Sequence, residues 1–287
     1  MTTRPDGVVI TGASTGIGAA CALHLDAGGL RVFAGVRNQA DGDALLARSS
    51  ARLTPVRLDV TDQSSIAAAT AFLQARVGEA GLGGLVNNAG IALGGPLEML
   101  PLDEIRRQFE VNVMGPVAVT QALLPLLRKG RGRIVNMGSI AGRVSLPFLG
   151  PYSMSKFALD AMTAALRLEL ERWGIEVSIV EPGAIATPIW QKSTAAGDAL
   201  EKALPNDALS LYSESLASIR RVAVEAEQRA ISVDTVARAV MHAMTAAHPK
   251  THYLVGVEAR VRALLATLLP ARTQDAFHRW LLKLPRR

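Results

Sequence analysis

The stretch Val8-Val9-Ile10-Thr11-Gly12-Ala13-Ser14-Thr15-Gly16-Ile17-Gly18 decides the fold of this 287-residue chain. Its β-branched start predicts a short buried strand, and its glycines predict a tight turn that opens into a helix over about residues 17–28. A helix that begins after such a turn offers unpaired N–H groups and a positive dipole end to a phosphate. The spacing Gly-x-x-x-Gly-x-Gly lacks the Gly-Lys-Ser/Thr ending of a P-loop. It indicates a site for a bulky anion such as a pyrophosphate, with a plain tight connection as the alternative. The residues assigned to this contact are Gly12, Ser14, Thr15, Gly16, Ile17 and Gly18.

Beyond this stretch, short apolar runs alternate with longer amphipathic ones as far as about residue 185. The predicted strands are 8–10, 31–36, 53–60, 85–87, 133–137, 176–180 and 252–256. The further predicted helices are a stretch around 44–47, one capped by Thr61 or Asp62 and ending near 76, one from Asp103 to about 129, 152–173, 209–229, and one capped by Ser232 and ending near 247. Such alternation predicts right-handed βαβ units, and continuously apolar strands predict burial on both faces. The expected fold class is therefore α/β: a Rossmann-type doubly wound parallel sheet with helices on both faces, in a single domain.

The positive charge of the chain lies near its C-terminus. The sequence has 31 Lys and Arg against 25 Asp and Glu, a net charge of +6. Residues 260–287 hold seven basic residues and one acid, so residues 1–259 are neutral overall. A nucleic-acid-binding domain is expected to carry its basic groups across a folded face, ideally with a recognisable motif. No nucleic-acid partner is therefore expected.

Several other classes of protein are not expected from the composition. The single cysteine, Cys21, cannot form an internal disulfide or a cysteine-based zinc site. The five histidines form no ligand cluster, and Pro249 between His248 and His252 argues against a helical metal pair, so no metal is expected. The first residues lack the apolar core of a signal peptide, and no apolar run reaches the roughly 18–20 residues that span a membrane. The expected location is the cytoplasm.

Arg37 follows directly after the second predicted strand. A site for NAD usually has an acid at this strand end, where it accepts a hydrogen bond from the ribose 2′-hydroxyl. The chain has Val36-Arg37 there instead. A guanidinium can bind a 2′-phosphate, so Arg37 predicts NADP(H) rather than NAD(H). The alternative is that Arg37 is a solvated loop charge.

Tyr152 and Lys156 are four residues apart at the start of a predicted helix, so their side chains share one face. An ammonium beside a phenol lowers the pKa of the phenol, and such a pair can exchange a proton with a carbonyl or alcohol oxygen. Ser139 follows the fifth strand, at the sheet edge where parallel α/β folds bind ligands. Each feature has a structural alternative, since a Tyr-x-x-x-Lys pair is common and a serine often caps a loop.

Taken together, these features resemble the classical short-chain dehydrogenase/reductase family, and in particular its hydroxysteroid and retinol dehydrogenase branch. The resemblance covers nearly the whole chain, from Thr11 to about Gly256. The matching elements are Thr-Gly-x-x-x-Gly-Ile-Gly (11–18), Leu58-Asp59-Val60, Asn87-Asn88-Ala89-Gly90, Asn112, Ser139, Tyr152-x-x-x-Lys156, and Pro182-Gly183 with Thr187. Each element is weak alone, but their order and spacing together are specific.

The resemblance implies a role for each matching residue. Tyr152 would be the acid/base, and Lys156 would bind the nicotinamide ribose and lower the pKa of Tyr152. Ser139 would hydrogen-bond the substrate oxygen, and Asn112 would interrupt its helix and hold a water in a proton relay. The remaining implied cofactor contacts are Asp59 and Val60 to adenine, Asn88, Ala89 and Gly90 at the adenosine ribose, and Pro182, Gly183, Ile185 and Thr187 toward the carboxamide end.

The expected activity is therefore an NADP(H)-dependent interconversion of an alcohol with its ketone or aldehyde. Residues 187–231 correspond to the variable substrate loop of the family, and their apolar residues favour a steroid-, retinoid- or lipid-like substrate. The candidate lid residues are Trp190, Leu209, Leu211, Tyr212, Leu216 and Ile219; the alternative is that they pack the loop onto the core. An NAD(H)-dependent dehydrogenase of a small polar alcohol and a non-catalytic dinucleotide sensor remain the competing functions.

By this division, residues 1–259 form the dinucleotide-binding catalytic domain and residues 260–287 form a basic amphipathic tail. The tail combines leucines and aromatic residues with arginines. It either docks on its own or a partner subunit, or lies as an interfacial helix on anionic lipid, which would make a cytoplasmic protein membrane-associated. The resemblance also implies a homodimer or homotetramer, formed through the long helices after residues 103 and 152.

Overall fold

The sheet has the predicted topology. The computed structural model describes residues 5–187 and 210–284. The strands are β1 (Gly7–Ile10), β2 (Arg31–Val36), β3 (Leu53–Arg57), β4 (Gly84–Asn87), β5 (Arg133–Met137), β6 (Glu176–Pro182) and β7 (His252–Val255). They pair in parallel in the order β3-β2-β1-β4-β5-β6-β7. The strand order reverses between β1 and β4, and this is where open α/β sheets bind ligands at the carboxyl ends of their strands.

Helices cover both faces of the sheet. They are α1 (Gly16–Ala27), α2 (Gln39–Leu46), α3 (Gln63–Val77), α4 (Leu102–Phe109), α5 (Gly115–Gly130), α6 (Gly150–Glu169), α7 (Ser213–Gln228), α8 (Val233–Thr245), α9 (Val257–Leu268) and α10 (Ala271–Leu281). Successive strand residues point to opposite faces. Accordingly, Val8 and Ile10 pack in one apolar cluster with α1 and α8, whereas Val9 packs in the other with α3 and α5. The expected single-domain α/β fold is confirmed.

Two helix caps agree with the sequence, and two element ends differ from it. The side chains of Asp62 and Ser232 cap α3 and α8 as predicted. The third strand ends at Arg57 rather than at residue 60, because Arg57 pairs with Val36, the last residue of the neighbouring strand β2. The helix predicted over 152–173 is α-helical only to Glu169, and a short 3₁₀ turn follows it.

The long helix after residue 100 starts slightly earlier than predicted. Pro101 precedes its first turn, and Asp103 lies inside that turn rather than at the cap. Residues Leu102–Gly130 form a helical stretch of 29 residues, and by length and composition it could cross a membrane. Its Leu123 and Leu127 side chains are buried in the core against the sheet.

Candidate active site

The glycine turn between β1 and α1 is shaped to accept a bulky anion. Gly12 and Gly16 have φ values of +63° and +58°, which residues with a Cβ rarely adopt. A Cβ on Gly18 would overlap the carbonyl oxygen of Gly12 and the side-chain amide of Asn88. Thr15, the N-cap of α1, makes no side-chain capping bond, and the first turn contains no acid. The N–H groups at this helix start are therefore free to meet a phosphate.

Side chains beside the turn hold it against the end of β4. The hydroxyl oxygen of Thr11 accepts hydrogen bonds from the backbone N–H groups of Asn88 and Ala89, each at 3.0 Å. The side-chain amide of Asn88 donates to the carbonyl oxygens of Thr11 and Gly12, also at 3.0 Å. These four bonds fix the turn and its neighbour strand as one surface. We call residues 11–18 and 88–90 together the glycine wall.

The end of β2 places a positive side chain beside the glycine wall. Arg37 follows the buried Val36 and is exposed at the cavity. Within the described residues, no acidic side chain pairs with Arg37. The side chain of Asp59, a predicted adenine contact, is held locally, because both the N–H and the hydroxyl of Thr61 donate to its Oδ1 at 2.9 and 2.8 Å. The cavity rim therefore presents an uncompensated guanidinium at this end.

Tyr152, Lys156 and Ser139 meet at the carboxyl edge of the sheet. Tyr152 and Lys156 lie one turn apart in α6, and Lys156 Nζ is 5.6 Å from the centre of the Tyr152 ring. Lys156 Nζ donates to the carbonyl oxygen of Met137 at 2.8 Å. The hydroxyl of Ser139 accepts from the N–H of Ala141 at 3.1 Å and hydrogen-bonds with the Tyr152 hydroxyl. Two hydroxyls and an ammonium are thus held together by the fold.

Burial sets the ionisation of this group. It lowers the pKa of Lys156 to about 8, because the ammonium loses hydration. It also raises the pKa of Tyr152, and the hydrogen bond with Ser139 offsets only part of that rise. The net shift of the Tyr152 pKa in the chain by itself is therefore upward, and the lowering by Lys156 that the resemblance implies stays a prediction. At neutral pH, Tyr152 is a neutral phenol, which is the form that donates a proton.

Asn112 lies behind the cavity wall. The segment Glu110–Met114 between α4 and α5 is π-helical, so the helix is interrupted at Asn112 as expected. The Asn112 Oδ1 accepts from the N–H of Ile91 at 2.8 Å. Its Nδ2 donates to the carbonyl oxygen of Ile91 at 2.9 Å and to the hydroxyl of Ser155 at 3.0 Å. The side chain therefore links the segment that follows β4 to α6 at Ser155, the residue directly before Lys156.

One cavity of about 1010 Å³ contains the rest of the predicted site. The predicted residues that line it are Gly12, Ser14, Thr15, Gly16, Ile17, Gly18, Arg37, Asp59, Val60, Asn88, Ala89, Gly90, Ser139, Tyr152, Lys156, Pro182, Gly183, Ile185 and Thr187. Two backbone hydrogen bonds hold the segment after β6 in place beside the cavity. The N–H of Gly183 donates to the carbonyl oxygen of Val255, and the N–H of Ala186 donates to that of Ile231, each at 3.1 Å.

The opposite side of the cavity is mostly apolar. We call it the apolar wall; its aliphatic and aromatic residues are Leu146, Phe148, Leu149, Leu216, Ile219, Val222, Ala223 and Leu282. Of the predicted lid residues, Leu216 and Ile219 lie here, whereas Leu211 is 74% exposed. The hydroxyl of Tyr212 donates to Glu98 at 2.6 Å instead. Trp190 and Leu209 lie outside the described residues.

The C-terminal tail contributes to the apolar wall, which the sequence did not reveal. Ala259 and Ala263 of α9 are buried beside the turn that follows Ser139. Leu282 is 4% exposed and reaches the cavity. The hydroxyl of Ser218 in α7 donates to the carbonyl oxygen of Lys283 at 3.1 Å, which ties the end of the tail to α7. The only sequence signal was the leucine spacing of the tail, which does not identify a partner surface.

A second polar cluster, also unforeseen, lies below the cavity. Within the described residues, Asp160, Glu181 and His252 are the one group of acidic and histidine side chains close enough together to ligate a metal ion. The guanidinium of Arg143 lies among them: its Nε donates to Glu181 at 2.5 Å, and its Nη2 lies 2.6 Å from His252 Nδ1. A fixed positive charge therefore already compensates the carboxylates, and these side chains form a cluster of ion pairs.

Comparison with known sequences gives matches over nearly the whole chain. A family model described as short chain dehydrogenase matches residues 6–198. Retinol dehydrogenase 5 from Mus musculus is 39% identical over 289 residues, which is 97% of this chain and 89% of that protein. NADPH-dependent 3-dehydrocapnine reductase from Ornithobacterium rhinotracheale is 36% identical over 272 residues, covering 93% of this chain and 94% of that one.

Solved structures agree with the sequence matches. A short-chain dehydrogenase from Streptomyces avermitilis has a TM-score of 0.76 and 28% identity, covering 99% of this chain and 97% of that chain. One from Burkholderia cenocepacia, solved in complex with NADP, has a TM-score of 0.73 and 27% identity over the full length of both chains. One from Burkholderia phymatum, solved in complex with NAD, has a TM-score of 0.76 and 26% identity, covering 92% and 94%.

Proposed function

This chain belongs to the short-chain dehydrogenase family of CH–OH oxidoreductases, which use NAD or NADP, and we propose that it is an NADP(H)-dependent member that interconverts a hydrophobic alcohol with its ketone or aldehyde. The observation that carries this proposal is the single cavity that runs from the glycine wall, past the Tyr152 hydroxyl, to the apolar wall. Such a cavity can hold a dinucleotide at one end and an apolar substrate at the other, with the acid/base between them.

The residues present fit a dinucleotide with a 2′-phosphate. The close backbone contacts at Gly12 and Gly18 leave the helix start open for a pyrophosphate. Arg37 would bind the 2′-phosphate, since the position directly after β2 holds this arginine rather than an acid that would repel the phosphate. Two similar proteins support this choice: a reductase whose name states NADPH dependence and a structure solved with NADP. The proposed contacts of the other cofactor residues are those that the family resemblance implies.

The proposed chemistry divides between cofactor and protein. A bound nicotinamide would supply or accept the hydride. In the reductive direction, the Tyr152 hydroxyl gives its proton to the oxygen of the substrate carbonyl that is being reduced. Ser139 donates a hydrogen bond to that same oxygen. The Lys156 ammonium stabilises the phenolate left on Tyr152. Asn112 acts through Ser155 and Ile91 to hold α6 against the cavity. In the oxidative direction, the phenolate takes the proton back.

The proposed substrate is steroid-, retinoid- or lipid-like. The apolar wall gives such a molecule a surface to bury, and each buried Å² of apolar area contributes about 25 cal/mol. The relatives named as retinol dehydrogenases and as a 3-dehydrocapnine reductase share 36–39% identity with the chain. These names support a substrate with a carbinol or carbonyl carbon at one end and an apolar body.

The proposal is tested by steady-state turnover on a matched panel. Retinal, a 3-ketosteroid, a long-chain ketone and a small sugar ketone are each offered with NADPH and with NADH. The expected result is turnover of at least one apolar compound, with NADPH preferred, and turnover lowered at least about 100-fold in Tyr152→Phe. Turnover of the sugar ketone alone with NADH would establish the competing small-alcohol function. Cofactor binding without any turnover would instead indicate a dinucleotide sensor.

We further propose that the protein is cytoplasmic and contacts an anionic membrane through its tail. Helix α9 turns its small side chains inward and its large ones outward: alanines are buried against the protein, and larger aliphatic side chains are exposed to solvent. The exposed stripe consists of Val257, Val261, Leu264 and Leu268, which fall on one face at 100° per residue. The exposed cationic and aromatic neighbours are Arg260, Arg272, Arg279, Trp280 and Lys283. This charge complements anionic lipid and would repel a second copy of the same surface.

Vesicle pelleting tests the membrane proposal. The wild-type chain should sediment with phosphatidylserine-containing vesicles more than with neutral ones, and Leu264→Asp should reduce that binding severalfold. Leu46→Asp is the matched control, since Leu46 is an exposed leucine of α2 outside the stripe. Equal sedimentation of both variants would refute a contact through α9. A change of oligomeric state in Leu264→Asp would identify the stripe as a subunit interface instead.

We also propose a homodimer or homotetramer formed through the α4–α5 and α6 helices. These helices expose apolar side chains to solvent, including Met114, Phe157 and Leu168. Light scattering should give a multiple of the 30.3 kDa chain mass, and Phe157→Asp should shift it toward the monomer. A monomeric wild type would overturn this proposal.

A further inference from the structure

The Arg143–Glu181 ion pair connects two segments that end at the active site. Arg143 lies four residues after Ser139, and Glu181 immediately precedes Pro182 in β6. Arg143 Nε donates to Glu181 Oε1 at 2.5 Å and Nη2 donates to Oε2 at 3.0 Å, so the pair is bidentate. Glu181 is 1% exposed, whereas the Arg143 side chain is 30% exposed. The fold thus buries a carboxylate at this point, pairs it with Arg143 through two hydrogen bonds, and places His252 Nδ1 at 3.0 Å from its Oε2.

The guanidinium has further partners on two other elements. Its Nη2 lies 2.6 Å from His252 Nδ1 at the start of β7, and because arginine can only donate, that nitrogen must be the acceptor. The Oδ1 of Asp160, one turn beyond Lys156 in α6, lies 3.9 Å from His252 Nδ1. Glu181 and Asp160 both act to raise the pKa of Arg143, chiefly through the Glu181 hydrogen bond. Arg143 therefore remains charged and anchored among α6, β6 and β7.

The segment 138–143 is also tightly enclosed. A Cβ on Gly138 would lie 2.8 Å from the Ile179 side chain and 3.2 Å from Glu181 Cγ. A Cβ on Gly142 would lie 2.9 Å from the Lys156 carbonyl oxygen. The segment therefore passes between β6 and α6 with no spare room, and Ser139 is at its start. Any shift of Arg143 must move this segment, because it has no slack to absorb the change.

We propose that Arg143 and Glu181 form a positioning pair that holds the Ser139 hydroxyl at its distance from Tyr152. Neither residue is catalytic, because neither lines the cavity. The pair acts through the segment 138–143: it fixes the loop end at β6, and the loop presents the Ser139 hydroxyl to the substrate oxygen. This inference rests on the proposed function, since Ser139 matters for turnover only if Tyr152 exchanges a proton there.

A double-mutant cycle tests the proposal. Glu181→Gln keeps the side-chain shape but removes the charge that orients Arg143, and it should lower kcat roughly ten- to hundredfold, as a misplacement near 1 Å does. The KM for NADPH should stay within about twofold of wild type, because the glycine wall is not involved. In a Ser139→Ala background, Glu181→Gln should have almost no further effect, because the group it positions is gone.

Glu176→Gln is the matched control. Glu176 lies in β6, as Glu181 does, but at the end of the strand away from the cavity. Its carboxylate forms an ion pair with Arg133 of β5, with 2.7 Å between Glu176 Oε2 and Arg133 Nε. It should cost stability without lowering kcat. Arg143→Lys serves if Glu181→Gln folds poorly, since lysine keeps the charge and loses the bidentate geometry; it should lower kcat in the same direction. Effects of Glu181→Gln and Ser139→Ala that multiply would overturn the positioning role.

Hydrogen exchange gives a readout that needs no substrate. The amides of Ala141, Gly142 and Val144 are bonded within the loop, to Ser139 or Ile140. In Glu181→Gln they should exchange at least about tenfold faster, while amides of β1 keep the wild-type rate. Unchanged exchange across 138–144 would refute the proposal even if the enzyme is active. Faster exchange with no wild-type turnover would refute the proposed oxidoreductase function and leave the loop anchoring intact.

Discussion

The glycine wall and the apolar wall enclose the same cavity by opposite means. The glycine wall consists of backbone: it works because atoms are missing at Gly12 and Gly18, and because Thr11 and Asn88 bond to main chain. The apolar wall consists of side chains from α7, the loop before α6 and the tail. A backbone surface recognises a constant ligand and fails when any atom is added. A side-chain surface can change its contacts one residue at a time, so it is the wall that can determine substrate choice.

The side chains between the walls should show the largest effect. Tyr152→Phe removes the proton donor and should lower kcat by about 10²–10⁴-fold, the usual contribution of general acid–base catalysis. The dissociation constant for NADPH, measured by fluorescence titration, should remain near the wild-type value. A normal kcat in this variant would show that Tyr152 is not the proton donor.

Adding one carbon to the glycine wall should abolish tight cofactor binding. In Gly18→Ala the new Cβ overlaps two polar atoms of the fixed turn, and relieving such overpacking costs about 1–3 kcal/mol. The dissociation constant for NADPH should rise roughly ten- to hundredfold. Gly150→Ala is the control, because its Cβ would meet only the Leu97 side chain, at 3.6 Å. Equal affinities in the two variants would contradict a backbone-built cofactor site.

The buried lysine between the walls should make stability depend on pH. The pKa of Lys156 is about 8 in the folded chain, against the ordinary value of 10.5 for a hydrated lysine, so the unfolded chain binds more protons between these two pH values. The free energy of unfolding should therefore rise with pH across this window, by about 3 kcal/mol for this group alone. Urea titrations at pH 7.5 and pH 10 should show this rise as a difference between wild type and Lys156→Met. Lys129→Met is the control for loss of an exposed lysine, and an identical slope in Lys156→Met would contradict the prediction.

Arg37 adds a positive charge at the rim of the glycine wall. Arg37→Asp should raise the KM for NADPH by roughly tenfold or more, since a hydrogen bond to a charged group contributes about 1.5–3 kcal/mol. The KM for NADH should fall or stay constant, because the new carboxylate can accept from a ribose hydroxyl. A wild type that already prefers NADH would remove Arg37 from the cofactor site.

The apolar wall should give the smallest effect and the most selective one. Ile219→Ala removes part of the wall and should lower kcat/KM for an apolar substrate about fivefold to tenfold, at roughly 1 kcal/mol for lost apolar contact. The KM for NADPH should not change. Val224→Ala, an exposed position of the same helix, is the control. Equal losses for apolar and small polar substrates would show that Ile219 supports the fold rather than the substrate.

The sequence predicted the glycine wall well and the apolar wall poorly, for a physical reason. The turn at 11–18 and the pair Tyr152–Lys156 depend on residues close in sequence, so their spacing carries the signal. The partners of the apolar wall and of the Arg143–Glu181 pair are separated by 38 residues or more, and no local pattern encodes such a contact. The burial that raises the pKa of Tyr152 also depends on residues distant in sequence, so the sequence shows the neighbouring lysine but not this burial.

The packing of α1 on α8 gives the chain a particular order of assembly. Cys21 and Leu25 of α1 share one apolar cluster with Val236 and Val240 of α8, more than 200 residues later. A nascent chain leaves the ribosome from its N-terminus. The apolar face of α1 that packs on α8 therefore stays exposed until α8 has been synthesised. Contacts of such long sequence separation slow folding. The cofactor cradle is encoded first, yet it becomes a stable surface only when nearly the last helix has arrived.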